Sequence, residues 1–208
     1  MVPDASRFSL ILASGGVESS TLMALAARQG DWLLPVFLDY GQRAAPRERL
    51  AALAQSHRHG TDLEVLDMAG VAEVFHAGQE RLFHVPLPHR NLVALSLALS
   101  LGEKRGADRI LLGVTREDAG VSATATPEFL AHFRTMADGL GSVTVEAPLQ
   151  ELDKAAVIRK GGELGVDFGT TYSCLLGYVT PCGRCPQCEK RADAFAAAGR
   201  ADPPFHLD

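Results

Sequence analysis

The sequence has no hydrophobic run long enough to cross a bilayer, because its longest apolar stretch, residues 92–101, is short and interrupted by serines. No signal peptide is expected, since residues 1–7 contain no charged segment followed by a long apolar one. A basic excess is also absent: 20 Lys and Arg stand against 25 Asp and Glu, for a net charge of −5. Nucleic-acid binding needs clustered basic residues, so this balance argues against such a partner. We therefore expect a cytoplasmic protein that binds neither membranes nor nucleic acids.

Cysteine is scarce, with 4 in 208 residues, and all of it is clustered. In a reducing compartment such a cluster is more typical of a metal site than of disulfides. The spacing is C-x7-C-x2-C-x2-C, and the predicted ligands are Cys174, Cys182, Cys185 and Cys188. Two-residue spacing lets neighbouring thiolates converge on one ion, and four thiolates make the closed tetrahedral site typical of structural zinc. Similar spacing also occurs in iron–sulfur proteins, so the spacing alone leaves the metal open.

Apolar segments of strand length alternate with segments of helical period along most of the chain. The predicted strands are 8–13, 32–38, 63–68, 109–114 and 143–147, and the predicted helices are 21–29, 46–57, 93–105, 127–140, 154–164 and 186–198. This alternation implies an α/β fold, a doubly wound parallel five-stranded sheet with helices on both faces. We predict an α/β domain over residues 1–169 and a small C-terminal lobe over residues 170–208 that carries the cysteines. The polar segment 116–126 is predicted to be a mobile loop.

The first predicted strand runs directly into Ser14-Gly15-Gly16-Val17-Glu18-Ser19-Ser20, which a helix follows. Two glycines let the backbone turn sharply and approach an anion, and the next helix offers unpaired N–H groups at the positive end of its dipole. The serines add hydroxyl donors. This pattern predicts a phosphate-binding loop, and the missing GK[ST] ending distinguishes it from a Walker A loop. The alternative is a glycine-rich turn in which Ser19 caps the helix.

Polar residues also follow the other predicted strands, at the edge where parallel sheets bind ligands. Asp39-Tyr40-Gly41-Gln42-Arg43 comes directly after the second strand and suits a nucleotide site, although an ordinary turn with solvated charges is the alternative. Further candidates are Arg90, Asn91, Glu117, Asp118 and Lys154. Asn91 could instead cap its helix, and Lys154 could be a solvated first-turn residue.

In this order the motifs resemble the PP-loop ATP pyrophosphatases, whose signature is SGGxDS, and among them the 7-cyano-7-deazaguanine synthases of queuosine biosynthesis. The resemblance rests on DYGQR, on the pairs Arg90-Asn91 and Glu117-Asp118, on Lys154, and on the CxxCxxC ending. It extends from residue 12 to about residue 199 and implies the adenine nucleotide alpha hydrolase-like fold with zinc at the cysteines. It implies that ATP adenylates the carboxylate of 7-carboxy-7-deazaguanine, that ammonia forms the amide, and that a second ATP dehydrates it to the nitrile.

The resemblance also implies roles for individual residues. The ATP-binding residues would be Ser14, Gly15, Gly16, Ser19, Ser20, Asp39, Gln42 and Arg43, with Mg²⁺ bridging the phosphates. Three catalytic residues are expected: Glu18 to order the loop or the metal, Lys154 to meet phosphate, and Asp118 to lie near the acceptor. Arg90, Asn91 and Glu117 would bind the acceptor. The expected partners are small molecules (ATP, ammonia and a deazapurine carboxylate), and the expected assembly is a homodimer.

Three positions depart from the resembled branch. Glu18 stands where the signature has Asp, His89 stands where the branch usually has Gly in VPGRN, and residues 119–126 replace a loop reading like SGYPDC. These departures leave open the same adenylation chemistry on another acceptor, such as a related nucleobase or a protein end. A sulfur-transferring tRNA enzyme is a second alternative, which the acidic balance and the fully used cysteines disfavour. A non-catalytic zinc-stapled module that binds nucleotide or a partner is the third.

Overall fold

The computed structural model describes residues 6–78 and 87–207, and its sheet confirms the predicted architecture. In the described part of the chain the sheet has five strands, all parallel, in the order β3-β2-β1-β4-β5. The strands are β1 (Phe8–Leu12), β2 (Trp32–Asp39), β3 (Glu64–Asp67), β4 (Arg109–Leu111) and β5 (Thr144–Glu146). The chain builds outward from β1 to β3, then crosses to the other side of β1. The switch point therefore lies between β1 and β4, where such sheets bind ligands.

The helices cover both faces of the sheet. They are α1 (Val17–Arg28), α2 (Ala45–Arg58), α3 (Ala69–His76), α4 (Arg90–Arg105), α5 (Arg116–Ala119), α6 (Pro127–Asp138), α7 (Lys154–Glu163) and α8 (Pro186–Ala197). Two of the expected caps form: the Thr126 hydroxyl accepts from the Phe129 N–H at 3.1 Å, and the Asp153 carboxylate accepts from the Ala156 N–H at 2.7 Å. Within the described ranges, no helix combines the length and the apolar character that crossing a bilayer requires.

One local expectation and two of the alternatives were wrong. The segment 116–126 is not a loop throughout: it contains α5 and a 3-10 turn at Ala123–Ala125, because Thr115 and Asp118 form a reciprocal capping box. Ser19 does not cap α1, since the helix begins four residues earlier than predicted and Gly16 occupies the cap position. Asn91 does not cap α4, whose cap position is taken by His89.

Alternate residues of the central strands enter two separate cores. Leu10 of β1 packs in the core that α4 and α6 cover, whereas its neighbour Ile11 packs in the core that α1, α7 and α8 cover. Both side chains are fully buried. Burial of both sheet faces explains why the strands read as continuous apolar runs, and it leaves the ends of the strands as the place for polar chemistry.

The segment after residue 170 packs closely on the α/β layers. Tyr172 and the cysteines form a third apolar cluster with Ala44 and Ala51, which lie at and within α2. Phe195 of α8 meets Phe168 edge to face, with ring centroids 5.3 Å apart. The C-terminal segment is therefore placed against the same edge of the sheet at which β1, β2 and β4 end. The predicted domain boundary between residues 169 and 170 stays a prediction.

Candidate active site

A cavity of about 400 Å³ opens at the carboxyl ends of β1, β2 and β4. A cavity of this size accommodates a nucleotide-sized ligand. The predicted residues that line it are Ser14, Gly16, Glu18, Ser19, Gln42, Arg90, Asn91, Asp118 and Lys154. The predicted residues outside its lining are Gly15, Ser20, Asp39, Arg43 and Glu117. Predicted residues from five separate parts of the chain thus meet at the edge that the topology selects.

The phosphate-loop candidate is held from two sides. Gly15 has a φ of +73°, and a Cβ there would lie 2.3 Å from the backbone oxygen of Glu48 in α2. Its carbonyl accepts from the Tyr172 N–H at 2.9 Å. The hydroxyls of Ser14 and Ser19 lie 3.2 Å apart at the cavity, beside the first turn of α1. Hydroxyls and unpaired helix N–H groups therefore converge where an anion can bind.

Glu18 and Lys154 form an ion pair across the cavity wall, with Oε1 and Nζ 2.7 Å apart. Their side chains are 19% and 14% exposed, so Lys154 is not the solvated residue that the alternative supposed. Burial opposes both charges, but each partner outweighs it. The pKa of Glu18 accordingly lies below its ordinary value and the pKa of Lys154 lies above its own. The longer side chain of Glu18 thus reaches the ammonium group of Lys154, which lies 136 positions later in the chain.

The two acidic residues of α5 have different surroundings. The Glu117 carboxylate accepts from the backbone N–H of Lys154 at 3.1 Å, so it satisfies the start of α7. Asp118 lines the cavity and accepts from the Thr115 N–H and from the Thr115 hydroxyl, both at 2.8 Å. Glu117 therefore binds the backbone of Lys154 at the start of α7, and only Asp118 of the pair contacts the cavity.

Several cavity residues were missed at the sequence level, among them Tyr40, Glu48 and Lys190. The Arg90 guanidinium donates to the Tyr40 hydroxyl at 3.0 Å, and Gln42 donates to the Glu48 carboxylate at 2.9 Å. Burial raises the pKa of Tyr40 and the pKa of Glu48. Tyr40 lies within the DYGQR string and could have been found there. Glu48 had no signal, because only the packing of α2 beside the loop brings it to the cavity.

The remaining predicted residues have local roles in the structure. The Asp39 carboxylate accepts from the Gly41 N–H at 3.0 Å and shapes the turn after β2. Asn91 donates to the Thr124 carbonyl at 3.1 Å, which ties α4 to the divergent segment 119–126. Ser20 is buried, with no hydrogen-bond partner for its hydroxyl within the described residues, and Arg43 is exposed.

His89 has a left-handed backbone, with φ of +53° and ψ of +38°. Outside glycine, it is the one residue of the described chain with a positive φ. This conformation costs a residue with a side chain roughly 1 kcal/mol more than glycine. A glycine at this position in VPGRN therefore has a conformational reason, and the histidine adopts the same turn at a cost.

The four cysteines form one compact cluster. Their Sγ atoms all lie within 4.8 Å of one another, and the Sγ atoms of Cys182 and Cys188 are 3.9 Å apart. A tetrahedral ion with bonds of about 2.3 Å to sulfur requires sulfurs about 3.8 Å apart, so the cluster fits such an ion. The backbone N–H of Arg184 lowers the pKa of Cys182 to about 7, which favours a thiolate ligand. The predicted cysteine cluster is therefore present as a set of groups that could hold a metal.

Arg191 joins this lobe to the phosphate loop. Its Nε donates to the Asp202 carboxylate at 2.9 Å and its Nη1 donates to the Thr171 carbonyl at 3.1 Å. The next residue, Tyr172, donates its N–H to Gly15. Two hydrogen-bonded steps thus connect α8 to the first glycine of the loop.

Known proteins resemble this chain over nearly its full length. The family described as Queuosine biosynthesis protein QueC matches residues 8–199. The 7-cyano-7-deazaguanine synthase of Stutzerimonas stutzeri (strain A1501) is 37% identical over 216 residues, which cover 94% of this chain and 96% of that relative.

Solved structures share the fold at low identity. The U34-tRNA thiolase NcsA from Methanococcus maripaludis, with its 4Fe-4S cluster, aligns over 94% of this chain and 66% of its own, with a TM-score of 0.58 and 10% identity. The NMN synthetase from Francisella tularensis aligns over 95% of this chain and 79% of its own, with a TM-score of 0.55 and 13% identity. At these identities the likeness concerns the fold alone, so the thiolase lends no support to sulfur transfer.

Proposed function

The chain belongs to the QueC family of queuosine biosynthesis proteins, and we propose that its cavity makes 7-cyano-7-deazaguanine by ATP-dependent ligation. One observation carries the proposal: the Ser-Gly-Gly loop, the Glu18–Lys154 pair and Asp118 line one cavity at the switch point of the sheet. Acyl adenylation requires a loop that binds phosphate, a cation beside it and a carboxylate near the acceptor.

The chemistry follows from the poor leaving group of a carboxylate. An oxygen of 7-carboxy-7-deazaguanine attacks the α-phosphorus of ATP and expels pyrophosphate, which leaves an acyl adenylate. Ammonia then attacks the carbonyl carbon, AMP departs and the amide forms. In a second round the amide oxygen attacks the α-phosphorus of another ATP and expels pyrophosphate, and loss of AMP and two protons then leaves the nitrile. The protein contributes position and charge stabilisation at each step.

On the phosphate side, we assign the departing pyrophosphate to the loop hydroxyls of Ser14 and Ser19 and to the N–H groups of the first turn of α1. Lys154 compensates the charge that develops on the leaving group, and Glu18 keeps that ammonium in place. Glu18 and Asp118 are the carboxylates that would hold Mg²⁺, which would supply further charge neutralisation to the phosphates.

On the acceptor side, we assign Arg90, Asn91 and Asp118, which line the cavity. Arg90 is fixed by Tyr40, and Asn91 is fixed by Thr124, so both present a defined geometry to a planar base. Glu117 supports the acceptor side indirectly, because it anchors the start of α7. Preorganised polar groups of this kind determine orientation in small-molecule sites.

We assign zinc to the cysteine cluster, with all four thiolates as ligands and a structural role. The donor set has no open position for substrate, and the sulfur spacing suits a tetrahedral ion. Purified protein should contain about one zinc per chain and no iron. A brown protein containing iron would replace this assignment with an iron–sulfur cluster.

One observation favours a second candidate, the same adenylation chemistry on another acceptor. The divergent segment supplies Val121, Ser122 and Ala125 to the cavity lining, and these residues offer a hydroxyl but no aromatic ring. If a related nucleobase or a protein end were the acceptor, it would contact this part of the cavity lining. A panel of carboxylates assayed for substrate-dependent pyrophosphate release separates the two candidates.

The deciding experiment incubates the metal-loaded protein with ATP, Mg²⁺, an ammonium salt and 7-carboxy-7-deazaguanine. We expect the amide and the nitrile by mass spectrometry, with AMP and pyrophosphate as the nucleotide products. Lys154→Met serves as the control that folds but lacks the cation. Stoichiometric ADP would reject adenylation itself. Bound ATP without amide, nitrile or pyrophosphate would transfer the proposal to the second candidate.

Three further expectations remain predictions. Sedimentation equilibrium tests the homodimer, fractionation of cells tests the cytoplasmic location, and limited proteolysis tests the boundary between residues 169 and 170. Cleavage that separates a stable lobe from a stable α/β domain would support two domains.

A further inference from the structure

Three cationic side chains line the cavity, and their surroundings differ. Arg90 donates to Tyr40, and Lys154 is paired with Glu18. Lys190, on α8, has neither a hydrogen bond nor an ion pair with any side chain of the described residues, and it is exposed at the cavity mouth. Its positive charge is therefore available to a ligand, whereas the other two charges are already partly compensated.

The orientation of α8 presents Lys190 to the cavity. Lys190 and Gln187 are three positions apart, so they share one face of the helix, and both line the cavity. The residues that follow each of them, Cys188 and Arg191, are each 8% exposed and belong to the buried side. One face of α8 thus serves the metal site and the core, and the neighbouring face serves the cavity.

The rotation of α8 is fixed relative to the phosphate loop. Arg191 donates to the Thr171 carbonyl and hydroxyl at 3.1 and 2.8 Å, and the Tyr172 N–H donates to Gly15 at 2.9 Å. Cys185 and Cys188 hold the start of the helix in the cysteine cluster. Lys190 therefore projects from a rigid support that is hydrogen-bonded to the loop.

We propose that Lys190 binds the β- and γ-phosphates of ATP as a second cation beside Lys154. The inference rests on the proposed use of ATP. The carboxylates Glu18 and Asp118 also line the cavity. They offset the charges of Arg90 and Lys154, so these two cations alone offer a polyphosphate little net positive charge. An anionic ligand could also be the acceptor carboxylate. The link from α8 to the loop favours the phosphates.

The test compares Lys190→Gln with Lys190→Arg and with a matched control, Lys104→Gln, in the full-length metal-loaded chain. Lys104 is an exposed lysine in the last turn of α4, at the opposite edge of the sheet. Dissociation constants are measured by calorimetry for ATP, inorganic pyrophosphate and AMP, together with KM for 7-carboxy-7-deazaguanine. Metal content and Tm establish that each variant is folded.

We expect Lys190→Gln to weaken ATP and pyrophosphate by roughly tenfold, the size of one charge-assisted hydrogen bond. AMP binding and the acceptor KM should stay within about twofold, because neither involves the terminal phosphates. Lys190→Arg should recover most of the loss, Lys104→Gln should change nothing, and the difference should shrink at high salt.

Three results would overturn the inference. Unchanged pyrophosphate binding in Lys190→Gln would show that this lysine contacts no phosphate, and equal weakening of AMP would show that it does not distinguish the terminal phosphates. A change confined to the acceptor KM would assign it to the carboxylate. Wild-type protein that binds ATP yet makes no nitrile would contradict the proposed acceptor alone and leave the Lys190 comparison intact.

Discussion

The two ends of the sheet each bury a charged pair, and the pairs differ in what surrounds them. At the amino end, Arg109 and Asp31 are 4% and 3% exposed. Arg109 also donates to Ser9 at 2.7 Å, to Glu146 at 2.7 Å and to Gln29 at 2.8 Å. At the carboxyl end, Glu18 and Lys154 are 19% and 14% exposed and face the cavity.

The difference separates a structural pair from a pair that can serve a ligand. Four of the five N–H donors of the Arg109 guanidinium have acceptors and the side chain is buried, so little bonding capacity remains for another molecule. The Lys154 ammonium carries three donors, and Glu18 accepts one of them. We infer that the amino end maintains the fold, whereas the carboxyl end keeps bonding capacity for substrates.

The largest expected effect comes from the metal, whose lobe supplies Ser173 and Leu175 to the cavity wall. Cys185→Ser should lose the metal and lower the Tm by more than about 10 °C, since structural zinc contributes folding energy directly. ATP affinity should fall with it. Metal analysis and thermal scans measure this, and zinc should restore chelated wild-type protein but not the variant. A variant of full stability would contradict a structural site.

The next effect compares one glycine at each end. Gly15→Ala places a Cβ 2.3 Å from the α2 backbone, so we expect a loss of several kcal/mol and ATP binding weakened more than tenfold. This loss comes from the clash of the new Cβ with the α2 backbone. The sequence had instead suggested that the glycine allows a close approach to phosphate. Gly30→Ala, with φ of +87° and open space around it, should cost about 1 kcal/mol and leave ATP binding unchanged. Equal losses of stability and of ATP affinity in the two variants would contradict the proposed difference between the two ends of the sheet.

The two ion pairs can be broken separately. Arg109→Met strands the buried Asp31 carboxylate and should cost about 3–5 kcal/mol in the free energy of unfolding, with the remaining folded enzyme active. Lys154→Met should cost less stability but lower kcat/KM about a hundredfold, because it removes a charge from the transferring phosphates. Denaturant titration and pyrophosphate release measure the two losses. If both variants lose mainly stability, the carboxyl-end pair is structural as well.

The smallest effect concerns pH and two carboxyls of the cavity. Burial raises the pKa of Glu48, so its contribution to stability declines as pH rises above 4.5 toward the folded pKa. Glu18 behaves oppositely: burial is outweighed by Lys154, the pKa is lowered, and its contribution is lost as pH falls below 4.5. Glu48→Gln should therefore flatten the decline in stability above pH 4.5, measured by urea unfolding at constant zinc. An unchanged slope would contradict burial as the cause.

Local patterns were enough to predict most of the fold. The strands read as apolar runs because both sheet faces are covered, and Thr126 and Asp153 cap α6 and α7 as their side chains suggest. The cysteine cluster followed from spacing alone. The short α5 was missed although Thr115 and Asp118 carry a capping-box pattern, because four residues give no helical period. Helix α3 was missed as well, since Val71 and Val74 are 59% and 79% exposed and form no buried stripe.

The site itself depended on contacts that no local pattern contains. A solvated Lys154 stayed an alternative in the sequence, because its partner Glu18 lies far away along the chain. Glu48 and Lys190 reach the cavity through the packing of α2 and α8. No local sequence motif marks either position. Glu117 and Asp118 were both predicted at the site, yet only Asp118 faces the cavity and Glu117 anchors α7.

The strand order has a consequence for how the chain is made. β1 pairs with β2 early in synthesis, but its other neighbour, β4, begins only at Arg109. At ribosomal rates β1 stays a sheet edge for about four to fourteen seconds while residues 40–110 are made, with Leu10 and Ile11 still uncovered. An unpaired apolar edge is a site of aggregation. Slow translation of residues 40–110 should therefore lower the soluble yield of this protein.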